Sequence, residues 1–244
     1  MLAVFLIYSP DRGDLIELTP QLVLTMWAAG IAGGAVPIAL WRIVGRGFHL
    51  LVAGSSALMG VGALVFDQHS GTIAGLALLA TAVCLERRPK WMAAAFGAAA
   101  VCFIVPAVST GGPLLAVSGA LTLGAVTDEM LLGHWYLVDP RLPRWALKSL
   151  DAAAGIGLVA DAALLISKGG LSWESDALVV GWAFVALGAM SMLLIVAVWF
   201  ALGEPGYNGV MAATGLSYLA VLTVIGATIT GRSLLGDGSS LLSG

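Results

Sequence analysis

The strongest constraint on this chain is the length of its uncharged apolar runs. Gln21 to Trp41 and Ala177 to Phe200 contain no charged residue, and each is long enough, as a helix rising about 1.5 Å per residue, to cross roughly 30 Å of hydrocarbon. Further runs of similar character fill most of the chain, which reads as an all-α, polytopic integral membrane helix bundle. The composition agrees: 59% of residues are hydrophobic and 10% charged, against about a quarter charged in a soluble domain. Nothing in the 244 residues is left over for an aqueous domain, so residues 1–244 form a single transmembrane domain. The net charge of -3 supplies no basic field, which argues against nucleic acid and leaves the lipid bilayer as the first partner.

Polar breaks between the runs delimit spans at Gln21–Trp41, Phe48–Phe66, Gly71–Leu85, Trp91–Val108, Pro113–Trp135, Trp145–Ile166, Ala177–Phe200 and Gly209–Thr230. The third is short for a full crossing, so spans three and four can also be read as a bent hairpin. Alternate loops differ sharply in charge. Arg42, Arg46, Arg87, Arg88, Lys90, Arg141, Arg144 and Lys148 fall on one side, and Arg12, Lys168 and Arg232 on the other. Because cytoplasmic loops retain basic residues, this split puts both termini outside, in a bacterial cytoplasmic membrane. Trp41, Trp91, Trp135, Tyr136, Trp145 and Trp199 mark the cytoplasmic ends, where amphipathic rings settle.

Met1 to Tyr8 is apolar, but no basic residue precedes it and no small-residue cleavage site follows. Residues 1–20 therefore read as a short interfacial segment and not as a signal peptide. The fifth span enters from the same side as the first, which suggests two halves in one orientation. The proline-containing tract from Asp139 to Arg144 is a natural joint and would divide the chain into halves 21–138 and 145–230. Pairs of small residues, among them Gly30 with Gly34 and Gly155 with Gly157, suit close intramolecular helix packing. Cys84 and Cys102 are isolated in apolar segments and read as packing residues.

The best functional clue is a violation of the apolar rule. Asp128 and Glu129 lie inside span five, where lipid makes an ionised group expensive. At about 100° per residue, Ser118, Thr122, Glu129 and Tyr136 share one stripe, with Thr127 and His134 nearly opposite and Asp128 between. A helix so surrounded by polar groups belongs inside the bundle, with Glu129 toward a polar cavity or a partner group. Asp161 sits deep in span six, with Lys168 two turns on. Asp151 lies one turn from Lys148 and is expected to pair with it at the interface. The proton-handling candidates are thus Glu129, Asp128 and Asp161.

His49 opens span two and His134 closes span five on the same side. If the two helices adjoin, both could ligate one haem b iron or border a quinone head group, flanked by Trp135 and Tyr136; no other metal ligand set is visible. His69 is in an outward loop. Gly155 to Ala160 matches GxGxxA but lies in an apolar helix with no strand before it, so it is a packing motif. Walker A, HExxH and GxSxG sequences are absent, so no residue is assigned as catalytic.

These features define an expectation and two alternatives. The expectation is a membrane subunit of an electron-transfer or respiratory assembly, not catalytic alone, docked to other membrane or peripheral subunits and bordering haem b or quinone near the cytoplasmic leaflet. One alternative is a proton-coupled small-solute transporter using buried carboxylates. The other is a non-catalytic membrane scaffold or assembly factor, in which the acids only specify helix pairing.

Overall fold

A computed structural model describes residues 19–139, 142–168 and 178–238, which form eight helices with no strand among the described residues. They are α1 (Pro20–Trp41), α2 (Arg46–Leu64), α3 (Ser70–Cys84), α4 (Pro89–Gly111), α5 (Pro113–Val138), α6 (Arg144–Ser167), α7 (Leu178–Ala201) and α8 (Tyr207–Gly238). Seven are long and apolar enough to cross a membrane, and α3, with 15 residues, is the shorter apolar helix. The interfacial segment expected before α1 lies, up to residue 18, outside the described residues, as do Arg12, Pro140, Arg141 and Ala177.

The helix boundaries have local causes. Proline occupies the first turn of α1, α4 and α5, where its missing N–H is no loss and its fixed φ is already helical. Thr19 caps α1 by accepting from the Leu22 amide at 3.3 Å, and the His69 ring accepts from the Gly71 amide at 3.0 Å at the start of α3. Gly112, at φ +80°, separates α4 from α5, a left-handed turn that glycine makes without a Cβ penalty. The last helix departs from expectation: α8 runs to Gly238 instead of stopping at Thr230, which brings Arg232 into the helix.

One end of the bundle is laced together by basic and aromatic residues. Trp41 of α1 meets Trp145 of α6 edge to face, with centroids 4.9 Å apart. Trp135 of α5 packs against Phe48 of α2 at 6.0 Å. Arg46 pairs with Glu86 at 3.5 Å, and Arg144 donates to the backbone carbonyls of Glu204 and Gly206 between α7 and α8. These arginines define the basic end of the bundle.

The neighbours repeat along the chain. In the first four helices α1 packs on α2, α2 on α3, α3 on α4 and α4 back on α1; α5 to α8 follow the same order, and α1 against α5 joins the two sets. Gly112 lies between the two sets. Helices α1 and α5 run parallel, because Gly30 meets Gly124 and Gly34 meets Asp128 in the same order. A Cβ on Gly124 would strike the Gly30 backbone, and one on Gly30 would strike the Ala120 carbonyl. The close-packing pair Gly30 and Gly34 thus serves an intramolecular contact.

Burial grades outward from α5. The most apolar window of α5 is 72% buried and that of α7 22%, so α5 is central and α7 borders lipid. Gly124→Ala should lower thermal stability in detergent by about 1–3 kcal/mol, since backbone cannot move aside as a flexible side chain can. Gly54→Ala, where a Cβ meets nothing within 4 Å, should be neutral or stabilising. Equal melting temperatures for the two variants would show that the α1–α5 approach is not tight.

Candidate functional site

Polar side chains converge on α5 in two groups. Nearer its N-terminal end, Arg232 of α8 grips Asp161 of α6 with two hydrogen bonds of 2.7 Å and donates to the Leu115 carbonyl of α5 at 2.9 Å. Ser118 of α5 adds a 2.6 Å bond to the same carboxylate. Both ionised side chains are nearly inaccessible, at 3% and 6% exposure. The fork-to-fork geometry with further donors is what makes such a pair tolerable away from water. Gly119 leaves the space: a Cβ there would meet the Arg232 guanidinium.

Sequence spacing does not reveal this partner. The charge pattern places Arg232 in an outward loop, and Lys168 is the basic residue nearest Asp161 along the chain. Two extra turns of α8 carry Arg232 inward, and a helix-to-helix pair leaves no trace in local spacing. The only signal of it in the sequence is Ser118, on the stripe predicted to face inward.

The second group lies toward the basic end and is far less satisfied. Glu129 is 2% exposed. Its Oε2 accepts from the Ser217 hydroxyl of α8, and its Oε1 has no protein partner. Asp128 is fully buried against Gly34 of α1 with neither oxygen partnered, and Asp151 of α6 has an unpartnered Oδ2. Asp151 and Glu129 are close enough to interact electrostatically. The expected Lys148–Asp151 pair does not form; the Lys148 ammonium stands over the Trp199 ring, 5.1 Å from its centroid. The ring face attracts the ammonium, while Asp151 is buried. Beside Asp128, Thr127 accepts from the Trp27 indole at 2.8 Å and donates to the Leu123 carbonyl at 2.6 Å.

The helical-wheel stripe of α5 is realised through several partners. Ser118 reaches Asp161, Glu129 reaches Ser217, and Thr122 abuts Gly157 of α6, whose missing side chain lets the helices close. Tyr136 is buried in the apolar core.

The histidines turn to different helices. His49 is buried between Phe48 and Phe96, at centroid distances of 6.2 and 6.5 Å, and neither ring nitrogen has a protein partner. His134 is exposed, with Nδ1 3.5 Å from the Tyr218 hydroxyl of α8. Trp135 lies nearer His49, through Phe48. Among the described residues, no three His, Cys, Asp or Glu side chains are grouped to hold a metal ion.

No family model, curated protein or solved structure matches this chain, which leaves the side chains themselves as the guide to function. For the ion pair the expectation is sharp. Asp161→Ala should cost about 3–5 kcal/mol by stranding a buried guanidinium, whereas Asp161→Leu with Arg232→Met should recover most of it. Thermal melts of the purified variants decide this; a double variant no better than Asp161→Ala would show that the pair itself carries the stability.

Proposed function

We propose that this is a proton-coupled transporter of a small solute in which Glu129 is the titrating carrier, with Asp151 and Asp128 near it and the basic end toward the cytoplasm. The observation that carries the reading is the hydrogen bonding of Glu129. Ser217 has one proton, yet its oxygen lies within bonding distance of two acceptors, Glu129 Oε2 and the Ala213 carbonyl, the latter at 2.8 Å. The Ser217 hydroxyl can donate to an ionised Glu129 or, once Glu129 is protonated, accept from it and donate to the Ala213 carbonyl, so the contact serves both protonation states. Oε1 has no protein partner in either state, and the ionised form, buried among apolar helices, is one that a neighbouring group or an entering solute would relieve.

Position supports the same reading. Glu129 lies nine residues before the end of α5, roughly 14 Å from the basic end at about 1.5 Å per residue. Asp151 of α6 lies at about the same level, since the contacts Ser118–Asp161 and Thr122–Gly157 set the register of the two helices, and is near enough to exchange a proton with it through a small movement.

The test is proton movement in proteoliposomes with an entrapped pH dye, challenged with a panel of sugars, amino acids and organic ions. At least one solute should drive a pH change that Glu129→Gln reduces tenfold or more, because the amide keeps the shape and cannot exchange the proton. A response of wild-type size in Glu129→Gln would exclude this role.

A second reading, the electron-transfer subunit, is favoured by His49 alone: a buried imidazole with two unpartnered nitrogens, walled by aromatic rings, is suited to a quinone oxygen or a haem iron. Gently purified protein should then show haem bands or stoichiometric quinone that His49→Phe removes. Unchanged occupancy in both His49→Phe and His134→Ala would end this reading.

A further inference from the structure

The basic end holds a cavity that neither reading uses. It has a volume of about 320 Å³ and lies between the start of α2 and the α3–α4 turn, with Arg46, Glu86, Arg87 and Arg88 in its wall. Arg46 and Glu86 neutralise each other at 3.5 Å. Arg87 and Arg88 are exposed and make no ion pair among the described residues, so the wall carries an uncompensated double positive charge.

Two helix N-termini add to that field. Arg46 is the first residue of α2 and Arg88 is the N-cap of α4, and neither helix start receives a side-chain cap. Pro89 supplies no amide to α4, so what the two helix starts add is the positive end of their aligned peptide dipoles, which favours an anion nearby. Oxygen-rich, multiply charged anions of the phosphate type match guanidinium forks best.

Below the cavity runs an apolar track. Leu50, Leu58 and Val61 follow Arg46 along one stripe of α2 and are 46%, 66% and 53% exposed, and Val65, just past its end, is 77% exposed. Gly54, between Leu50 and Leu58, has nothing within 4 Å of where a Cβ would stand. An acyl chain lying on that stripe would bring its own phosphate to Arg46. A soluble anion has no use for the stripe.

We propose that this cavity binds the phosphate group of an anionic phospholipid, whose chain lies along the exposed stripe of α2. Basic recesses between membrane helices recognise lipid head groups in this way. The site is independent of Glu129 and stands whichever function holds.

The full chain, purified in detergent, is titrated by native mass spectrometry with phosphatidylglycerol and with phosphatidylcholine of matched chains, each with and without millimolar inorganic phosphate. Phosphatidylglycerol should bind at least tenfold more tightly and resist the added phosphate. Arg87→Gln with Arg88→Gln should weaken it roughly 30-fold, about fivefold for each guanidinium, and Arg87→Gln alone supplies the single step should the pair not fold. Arg42→Asn removes a charge at the same end outside the cavity, and Asn tolerates the left-handed backbone found there; its affinity should stay within twofold of wild type. Displacement by inorganic phosphate, with the same arginine dependence, would keep the anion site and overturn the lipid as its occupant. Equal binding of the two lipids, no loss in the arginine variants, or an equal loss in Arg42→Asn would overturn the site.

Discussion

Everything polar in this bundle hangs from α5, and α5 is held where it is by a contact between two backbones. At Gly30 and Gly124 no side chain separates the helices, so α1 and α5 approach more closely than any larger pair would permit. The same register sets Asp128 against Gly34 one turn on. In lipid, burial of apolar surface gives no drive for one helix to choose another, so contact of this kind carries the specificity. Widening it by a methyl group would move Glu129 and Ser118 as well, because they ride on the same rigid helix.

The two polar groups on α5 solve the problem of charge in hydrocarbon differently. At Asp161 the carboxylate has a bidentate guanidinium and a hydroxyl, and the guanidinium has a carbonyl besides. Such a network is costly to break and has little to gain from a ligand. At Glu129, Asp128 and Asp151 the oxygens outnumber their donors, and satisfaction depends on where protons reside. A complete network reads as structure and an incomplete one as chemistry, which is why the functional reading rests on Glu129 and not on Asp161.

The architecture is legible in the sequence because its signals are periodic or positional. Apolar runs and prolines place the start of every helix within two residues, and the small-residue pair in α1 marks a real contact. The α5 stripe is correct for Ser118, Thr122 and Glu129, since 3.6-residue periodicity does not depend on the partner. The ion pairs are illegible for the opposite reason. Lys148 is one turn from Asp151, and Lys168 two turns from Asp161, yet Lys148 sits on Trp199 and Asp161 takes Arg232 from 71 residues away. Spacing within one helix cannot reveal a partner on another, and the run of small and polar residues near the end of α8 hides two further turns. His49 and His134 illustrate the same limit: that Phe96 of α4 flanks one ring and Tyr218 of α8 the other cannot be read from their positions in the sequence.

The helices on either side of Glu129 are fastened at both ends. Toward the basic end, Arg144 at the start of α6 bonds the carbonyls of Glu204 and Gly206, just before α8. Toward the other end, Asp161 of α6 holds Arg232 of α8. Asp151 and Ser217 lie between these ties, and so does Glu129. Pulling α6 from α8 would break a tie at one end or the other, but turning a carboxyl group between them breaks neither. Any exchange of a proton at Glu129 is therefore accommodated by rotation about side-chain bonds in the middle of the seam, while the passage of a bulky solute along the same seam would first have to release Arg144 or Arg232.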